Sequence, residues 1–462
     1  MKTNDLLKVL KDTVPRDERR IHAMPMLQSN ELSSESILSP GLRELFGSNA
    51  SDDDSELQRV AEQLSEFIDD VVMNDTTSDR AAGALVGLAI GDAVGAPLEF
   101  RPARNEAECS TGPRLLRSLH PETGELQYRE PFNKFKLLAG QWTDDCSMAL
   151  CLADSLIARG DFDGSDCRVR WYDWWNFGYN NAFRFDERPN RTSVGLGDNV
   201  SMSLDAVADH TGQLASAVPS RYTSEGDDAG NGSIMRLAPV PIRFHRNLHK
   251  AMQIAEAQSY ASHPGSDAAD CCAVMTYMIA NAIQRPAADS RTMGEFMCDQ
   301  THKFLKEHSP LPSFTDNTET NNLASLLSSN PPTDSEAVWA WREPHPLVKE
   351  TLLARGESYN GHDVTSVYFG SYCMDGLAMA MWALHGSKNF ADCMIRIVNL
   401  LGDADTTGAI AGQIAGAFYG YKAFDSDPIS SRMLSNLRRW DPLHEIPLRA
   451  LLLNDDSLEI VC

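Results

Sequence analysis

Two short acidic clusters with one shared layout constrain this chain more than any other feature. Thr143-Asp144-Asp145 lies in GQWTDDCSMALCLADSL, and Asp403-Ala404-Asp405-Thr406 lies in NLLGDADTTGAIAGQIAGAFYG. In each, glycine comes shortly before, the carboxylates follow, and a run of small apolar residues at helical spacing begins. Asp and Thr are ordinary helix N-caps, because their side-chain oxygens accept from free backbone N–H groups. One cap needs one carboxylate. The surplus here repels itself unless a cation is present. Four carboxylates and two hydroxyls at the starts of two helices make an oxygen-only donor set, which suits hard divalent cations such as Mg²⁺ or Mn²⁺. A pair of such ions can polarise a substrate oxygen and activate a water.

The chain has 462 residues, 42% of them hydrophobic, enough for a sizeable core. Its 41 basic and 65 acidic residues give a net charge of −24. Such a chain repels a phosphate backbone, so binding nucleic acid through a general basic face is not expected. Ten cysteines occur without a CxxC pair or a disulfide framework, and adjacent Cys271 and Cys272 read as small buried residues. This pattern fits a reducing compartment, and a cytoplasmic protein is expected. No uninterrupted run of about 18 apolar residues occurs, so no membrane span is expected. The N-terminus lacks the apolar core of a signal peptide.

Residues 1–78 read as an N-terminal extension. The first part is polar and expected to be disordered or loosely docked. Residues 56–73 form one amphipathic helix, with Leu57, Val60, Leu64, Phe67, Ile68 and Val71 at helical spacing. From Asp79, RAAGALVGLAIGDAVGAPLEF is rich in Ala and Gly at helical spacing and reads as a central buried helix. Helical patterns follow at 144–159, 166–177, 248–261, 267–284, 292–306, 371–385, 389–400, 406–422 and 429–438, with few alternating strands. Residues 308–345 are rich in Pro, Ser, Asn and Thr and read as a loop insertion, with Trp339 and Trp341 as packing anchors. Residues 441–462 read as a tail. The economical fold class is all-α, with the main domain over 79–440.

Other segments are weaker signals. Glu99 follows Pro97, which ends the first Gly/Ala helix. A loop carboxylate beside a metal pair could serve as general acid or base, although a single Glu is usually solvated. Gly230-Asn231-Gly232-Ser233 is a glycine-rich turn entering a helix, able to cradle phosphate oxygens or to serve as a tight turn alone. His263 and Tyr372 could contact a substrate or pack in a wall.

Taken in order, GALVGLAIGDAVGAPLEF, GQWTDDCSMAL, GNGSIMRLAPV, SHPGSDAAD, GSYCMDGLAMAMWAL and NLLGDADTTGAIAGQIAGAFYG make the chain resemble the ADP-ribosylglycohydrolase family, which includes the dinitrogenase-reductase-activating glycohydrolases. The resemblance implies a compact, orthogonally packed all-α domain with a dinuclear Mg²⁺ or Mn²⁺ site. It places Thr143, Asp144, Asp145, Asp403, Asp405 and Thr406 on the metal ligands. It places Glu99 on the glutamate that lies at the metal centre in the subgroup acting on serine-linked ADP-ribose, where Glu99 or else Asp145 could act as the catalytic base. Gly230, Asn231, Gly232 and Ser233 fall on the loop that holds diphosphate and ribose, and His263 and Tyr372 fall near the substrate. The implied activity is hydrolysis of the glycosidic bond between ADP-ribose and a protein side chain or small acceptor; separately, a monomer is expected. An oxocarbenium-like state at ribose C1″ would suit this chemistry.

There are departures from the family pattern. Cys146 replaces a threonine that usually ends the first acidic motif, Ala229 stands where one subgroup has an aromatic residue, and the segment 190–199 is longer than usual. A catalytically silent member with a binding or structural role is therefore one alternative reading. A haloacid-dehalogenase-type phosphatase, suggested by Asp403-Ala404-Asp405-Thr406-Thr407 after IRIVNLL, is another. Against it, little chain remains downstream for that fold's second acidic motif.

Overall fold

A computed structural model describes residues 3–14, 36–46, 54–104, 116–120, 123–128, 132–209, 212, 214–224, 226, 228–307 and 322–455. Among these residues the only strands form two small antiparallel pairs, Leu116–Leu119 with Leu126–Tyr128 and Ser358–Tyr359 with His362–Asp363. Everything else regular is helical. A haloacid-dehalogenase-type phosphatase, which is built on a parallel sheet, is excluded on this ground.

Seven helices frame the core: α1 (Thr76–Gly95), α2 (Asp144–Arg159), α3 (Ser266–Ile283), α4 (Cys373–His385), α5 (Phe390–Val398), α6 (Ala404–Tyr419) and α7 (Glu445–Asn454). Asp75 caps α1, accepting from Thr77 N and Ser78 N at 3.1 Å each. α2 ends where Gly160 turns left-handed at φ 75°. Gly160 closes α2 where the periodicity predicts, whereas Asp75 starts α1 at Thr76, ahead of the expected start at Asp79.

The largest contact between elements is α1 against α6. The two helices run antiparallel with glycines every fourth residue on the facing stripes. A methyl group on Gly83, Gly87 or Gly91 would collide with the carbonyl oxygen of Gly416, Gly412 or Gly408, respectively, and one on Gly95 would strike that of Ala404. The reverse is true of Gly408, Gly412 and Gly416. Backbone therefore lies directly on backbone, which only a stripe of missing side chains permits. This pairing sets the C-terminal end of α1 beside the N-terminal end of α6. The stretch Thr76–Leu98 is long and apolar enough to cross a membrane, yet its whole apolar window is buried within the protein.

Three expectations need correction. The described part of the N-terminal extension has three helices rather than one. Besides Asp54–Asn74, with Val60, Leu64, Ile68 and Val72 buried, there are Thr3–Asp12 and Ser39–Phe46. Leu6, Leu10, Ile37, Leu38 and Leu42 join the main core. The other residues of the arm lie outside the described segments. The insertion is also not all loop. It holds helix Asn322–Ser328 and a 3₁₀ segment Asp334–Trp339, and Trp339 and Trp341 are fully buried as anchors. Their indole N–H groups donate to Asp375 Oδ1 (3.0 Å) and to the Leu326 carbonyl (2.7 Å). Residues 308–321 of the insertion lie outside the described residues.

The expected tail is α7, a core helix. Its Arg449 Nε lies 2.7 Å from Asp154 Oδ1 on α2, with both side chains buried. Tyr179 and Asn180 also donate to Asp154, at 2.7 and 2.8 Å, and Arg449 reaches Ser36 Oγ at 3.1 Å. Long-range partners neutralise the charges that make 441–454 read as exposed.

All eight cysteines among the described residues are free, and Cys271 and Cys272 are buried as expected.

Two stability measurements follow. Gly412→Leu should lower the unfolding free energy by about 3 kcal/mol or more through overpacking. Gly226→Ala, whose new methyl would meet nothing nearer than Ser224 Oγ at 3.5 Å, should change it by less than about 0.5 kcal/mol. Equal urea midpoints for the two variants would contradict the helix contact. Arg449→Ala strands a buried carboxylate and should lose about 3–5 kcal/mol in the same assay.

Candidate metal centre

The α1–α6 contact and the start of α2 bring the acidic residues together. Asp92, near the end of α1, accepts from Thr143 N at 2.9 Å, from Thr143 Oγ1 at 2.9 Å and from Cys146 N at 2.9 Å. It therefore caps α2 from the neighbouring helix. Thr143 and Asp403 stand at the N-cap positions of α2 and α6, yet neither makes a side-chain cap hydrogen bond. Capping does not account for these residues. Thr143 Oγ1 instead lies 3.2 Å from Asp145 Oδ2 and 3.3 Å from Asp405 Oδ2. One hydroxyl proton cannot serve all three carboxylates around it.

Two carboxylate triads share Asp405. In each of Asp92–Asp145–Asp405 and Glu99–Asp403–Asp405, one oxygen per residue lies within 4.8 Å of the others. Asp145 Oδ1 and Glu99 Oε2 are buried and have no hydrogen-bond partner. Burial raises every one of these acids. Asp92 and Asp403 are pushed up to about 7 and Asp405 to about 6, and Glu99 and Asp145 go well above their ordinary values. After burial, the neighbouring carboxylates raise Glu99 and Asp145 further. Without a cation the cluster thus binds protons more readily than solvated carboxylates do. Orphaned buried oxygens, oxygen-only donors and mutual repulsion fit hard divalent cations.

The predicted residues occupy three kinds of place. Thr143, Asp145, Asp403 and Asp405 converge on the centre. Thr406 is buried beside it and hydrogen bonds to Asp403. Asp144 stands outside both triads, and its carboxylate packs against Gly195, where a methyl group would collide with Oδ1. Asp405 and Asp92 still raise it, after burial.

Asn231 donates to Asp403 Oδ2 at 2.7 Å and to the Gly370 carbonyl at 3.0 Å. Its backbone N–H donates to Ser371 O at 2.9 Å, so that group is not offered to a phosphate. Gly230 bridges to Tyr372 as a single antiparallel pair. Gly230 and Gly232 lie against the imidazole of His263. His263 is buried, held by Ser262 Oγ at 2.8 Å, and lowered to about 3 by burial and then by Arg236, so it is neutral. Tyr372 donates to Asp267 Oδ2 at 2.5 Å. Ser233 is a correction. It is fully buried and bonded to Ser259 Oγ at 2.9 Å, facing the core rather than the centre.

Sequence reading missed Asp92, Gly195 and the part Asn231 plays in holding Asp403. Asp92 does carry a signal, since a carboxylate inside a Gly/Ala helix has no solvated face on which to sit. Cys146 is wholly buried, with its thiol raised by burial and then by Asp92, Asp441 and Asp145.

The sequence profile of the ADP-ribosylglycohydrolase family matches residues 73–458, so it takes in the insertion and α7. ADP-ribosylarginine hydrolase Tri1 of Pseudomonas putida (strain GB-1) is 31% identical over 345 residues, covering 74% of this chain and 71% of that protein. ADP-ribosyl-[dinitrogen reductase] glycohydrolase of Rhodospirillum rubrum is 28% identical over 361 residues, covering 78% of this chain and 90% of that protein. A solved structure described as an ADP-ribosylglycohydrolase-related protein complex superposes with a TM-score of 0.53 at 25% identity, covering 82% of this chain and 99% of that one. An all-helical fold of this type, with an acidic centre between helix starts, defines a class of glycosidic-bond hydrolases. The chain belongs to the ADP-ribosylglycohydrolase family.

Repulsion in the centre gives a sign test. In EDTA, Asp405→Asn should melt above wild type, because one buried like charge is gone. In Mg²⁺ the order should reverse, since only wild type gains stability from binding. An unchanged order in the two buffers would count against a cation site.

Proposed function

We propose that this protein hydrolyses the glycosidic bond linking ADP-ribose to an acceptor side chain, with two Mg²⁺ or Mn²⁺ ions as cofactors. The observation that carries the reading is the pair of carboxylate triads sharing Asp405, with orphaned oxygens on Asp145 and Glu99. Family membership and relatives named for ADP-ribosylarginine and ADP-ribosyl-dinitrogen reductase support a modified protein as substrate.

Thr143, Asp144, Asp145, Asp403, Asp405 and Thr406 would hold the cations. Asp92 is better read as a positioning residue, because both its oxygens already accept from Thr143 and Cys146. Asn231 aims Asp403 in the same way. When bound, such cations supply Lewis-acid polarisation and ease the ionisation of water.

The protein groups do the rest. Glu99 sits at the open edge of the centre, partly exposed as a residue but with Oε2 buried. Its raised affinity for a proton suits it to take one from a water aimed at C1″. Asp145, also unpartnered at Oδ1, is the alternative base. The stretch from Gly230 to Gly232, tied to Ser371 and Tyr372 and backed by neutral His263, forms a rigid wall for the diphosphate and ribose.

The direct assay is release of ADP-ribose from a panel of differently linked ADP-ribosyl substrates, with and without Mg²⁺. Glu99→Gln should retain ADP-ribose binding by calorimetry and lose about 10²–10⁴-fold in single-turnover hydrolysis. Undiminished turnover would move the base role to Asp145.

A further inference from the structure

Beside the acidic centre stands a wall of rings that the hydrolysis described above does not use. Phe100 directly follows Glu99 and takes φ 63°, a left-handed conformation that bulky residues rarely adopt. Its N–H donates to the Gly402 carbonyl at 3.1 Å, and Gly402 N donates back to Arg101 O at 2.9 Å. The Phe100 backbone is thus fixed to the residue before Asp403, and the unusual φ sets where the ring points.

Two further rings meet Phe100 edge-on: Phe135 at 5.8 Å and 76°, and Tyr368 at 5.5 Å and 80°. Each comes from a segment anchored at the centre. Asn133 N donates to Pro97 O at 2.9 Å, two residues before Glu99, and the Asn133 side chain closes its own loop onto Leu137 at 2.8 Å in both directions. Tyr368 precedes Phe369, whose carbonyl accepts from Asp403 N at 3.1 Å. Tyr368 remains 52% exposed, so this wall is open to a ligand.

A cation already rests on these rings. Lys134 Nζ lies 3.7 Å from the Phe100 centroid and 5.8 Å from that of Phe135. Aromatic faces attract cations through their quadrupole, and guanidinium groups also stack on them as planes. A leaving group on ribose C1″ would pass Glu99 and reach this wall. A neutral acceptor would gain little there, whereas a guanidinium, which keeps its charge when glycosylated, would gain both terms.

We propose that Phe100, Phe135 and Tyr368 form the acceptor subsite, that it takes the guanidinium of a modified arginine, and that Lys134 covers the same ring face when no acceptor is present. The inference rests on the hydrolase reading above and deepens it.

The test uses the full chain with Mg²⁺ and two peptides of one sequence, ADP-ribosylated on arginine or on serine. Steady-state kcat and KM are measured for wild type, Tyr368→Leu and Lys134→Ala, with the inhibition constant of free ADP-ribose alongside. Tyr368→Leu should raise KM for the arginine-linked peptide about three- to tenfold. Its kcat and its ADP-ribose inhibition constant should not move. Lys134→Ala should lower the same KM, and the serine-linked peptide should respond to neither change. An ADP-ribose constant that rises in step with KM would overturn the proposal, since the rings would then hold the base. Equal shifts for both linkages, or no shift, would also overturn it. A wild type that cleaves only the serine-linked peptide would overturn this subsite and leave the hydrolase reading standing. Cleavage of neither peptide would overturn both.

Discussion

Everything at the centre depends on two helices touching backbone to backbone. Four glycines on α1 and three on α6 remove the side chains that would hold the axes apart. Gly carries an entropic penalty in helices of about 0.5–1 kcal/mol per residue, so a stripe of them must be offset by the packing it allows. That packing fixes more than stability. It sets the end of α1, with Asp92 and then Glu99, against the start of α6, with Asp403 and Asp405. α2 follows, because Asp92 holds its first turn. The position of each ionisable group is thereby determined by contacts that carry no charge.

The same arrangement explains how so many carboxylates are tolerated. The N-terminal ends of α2 and α6 both face the centre, and helix N-termini favour negative charge. Backbone donors from Thr143 and Cys146 stabilise Asp92, and Asn231 and Thr406 stabilise Asp403. These contributions are too small to keep the whole cluster ionised, as the raised proton affinities show. The protein's own groups thus leave the cluster's charge uncompensated, as a cation site would require. Neutral His263, buried behind the glycine turn, adds shape to the site and no charge.

Much of this architecture was legible in the sequence because it is periodic. The helices over 144–159, 267–284 and 406–422 appear at Asp144–Arg159, Ser266–Ile283 and Ala404–Tyr419. The meeting of the two acidic clusters was legible from their surplus of charge. Asp92 was overlooked despite its telling place inside a Gly/Ala helix, because the Thr143 and Cys146 groups that it holds belong to another helix. α7 was misread as a tail, because Arg449 and Glu445 look solvated until Asp154 and Arg184 are placed beside them. Ser233 was misassigned because a motif gives a residue but not the direction its side chain takes. The N-terminal helices failed for a related reason. Leu6, Leu10 and Leu42 are sparse in a polar stretch, and only the core they complete reveals them.

The central claim is that the glycine-packed helices bring Asp405 to the shared position of a two-cation centre. Electron paramagnetic resonance of the metal-free protein titrated with Mn²⁺ tests it most directly. The account predicts two Mn²⁺ bound per chain with a spin-coupled spectrum, as expected of ions sharing one carboxylate. Spectra of isolated ions only, or no protein-bound Mn²⁺ signal at any stage of the titration, would contradict it.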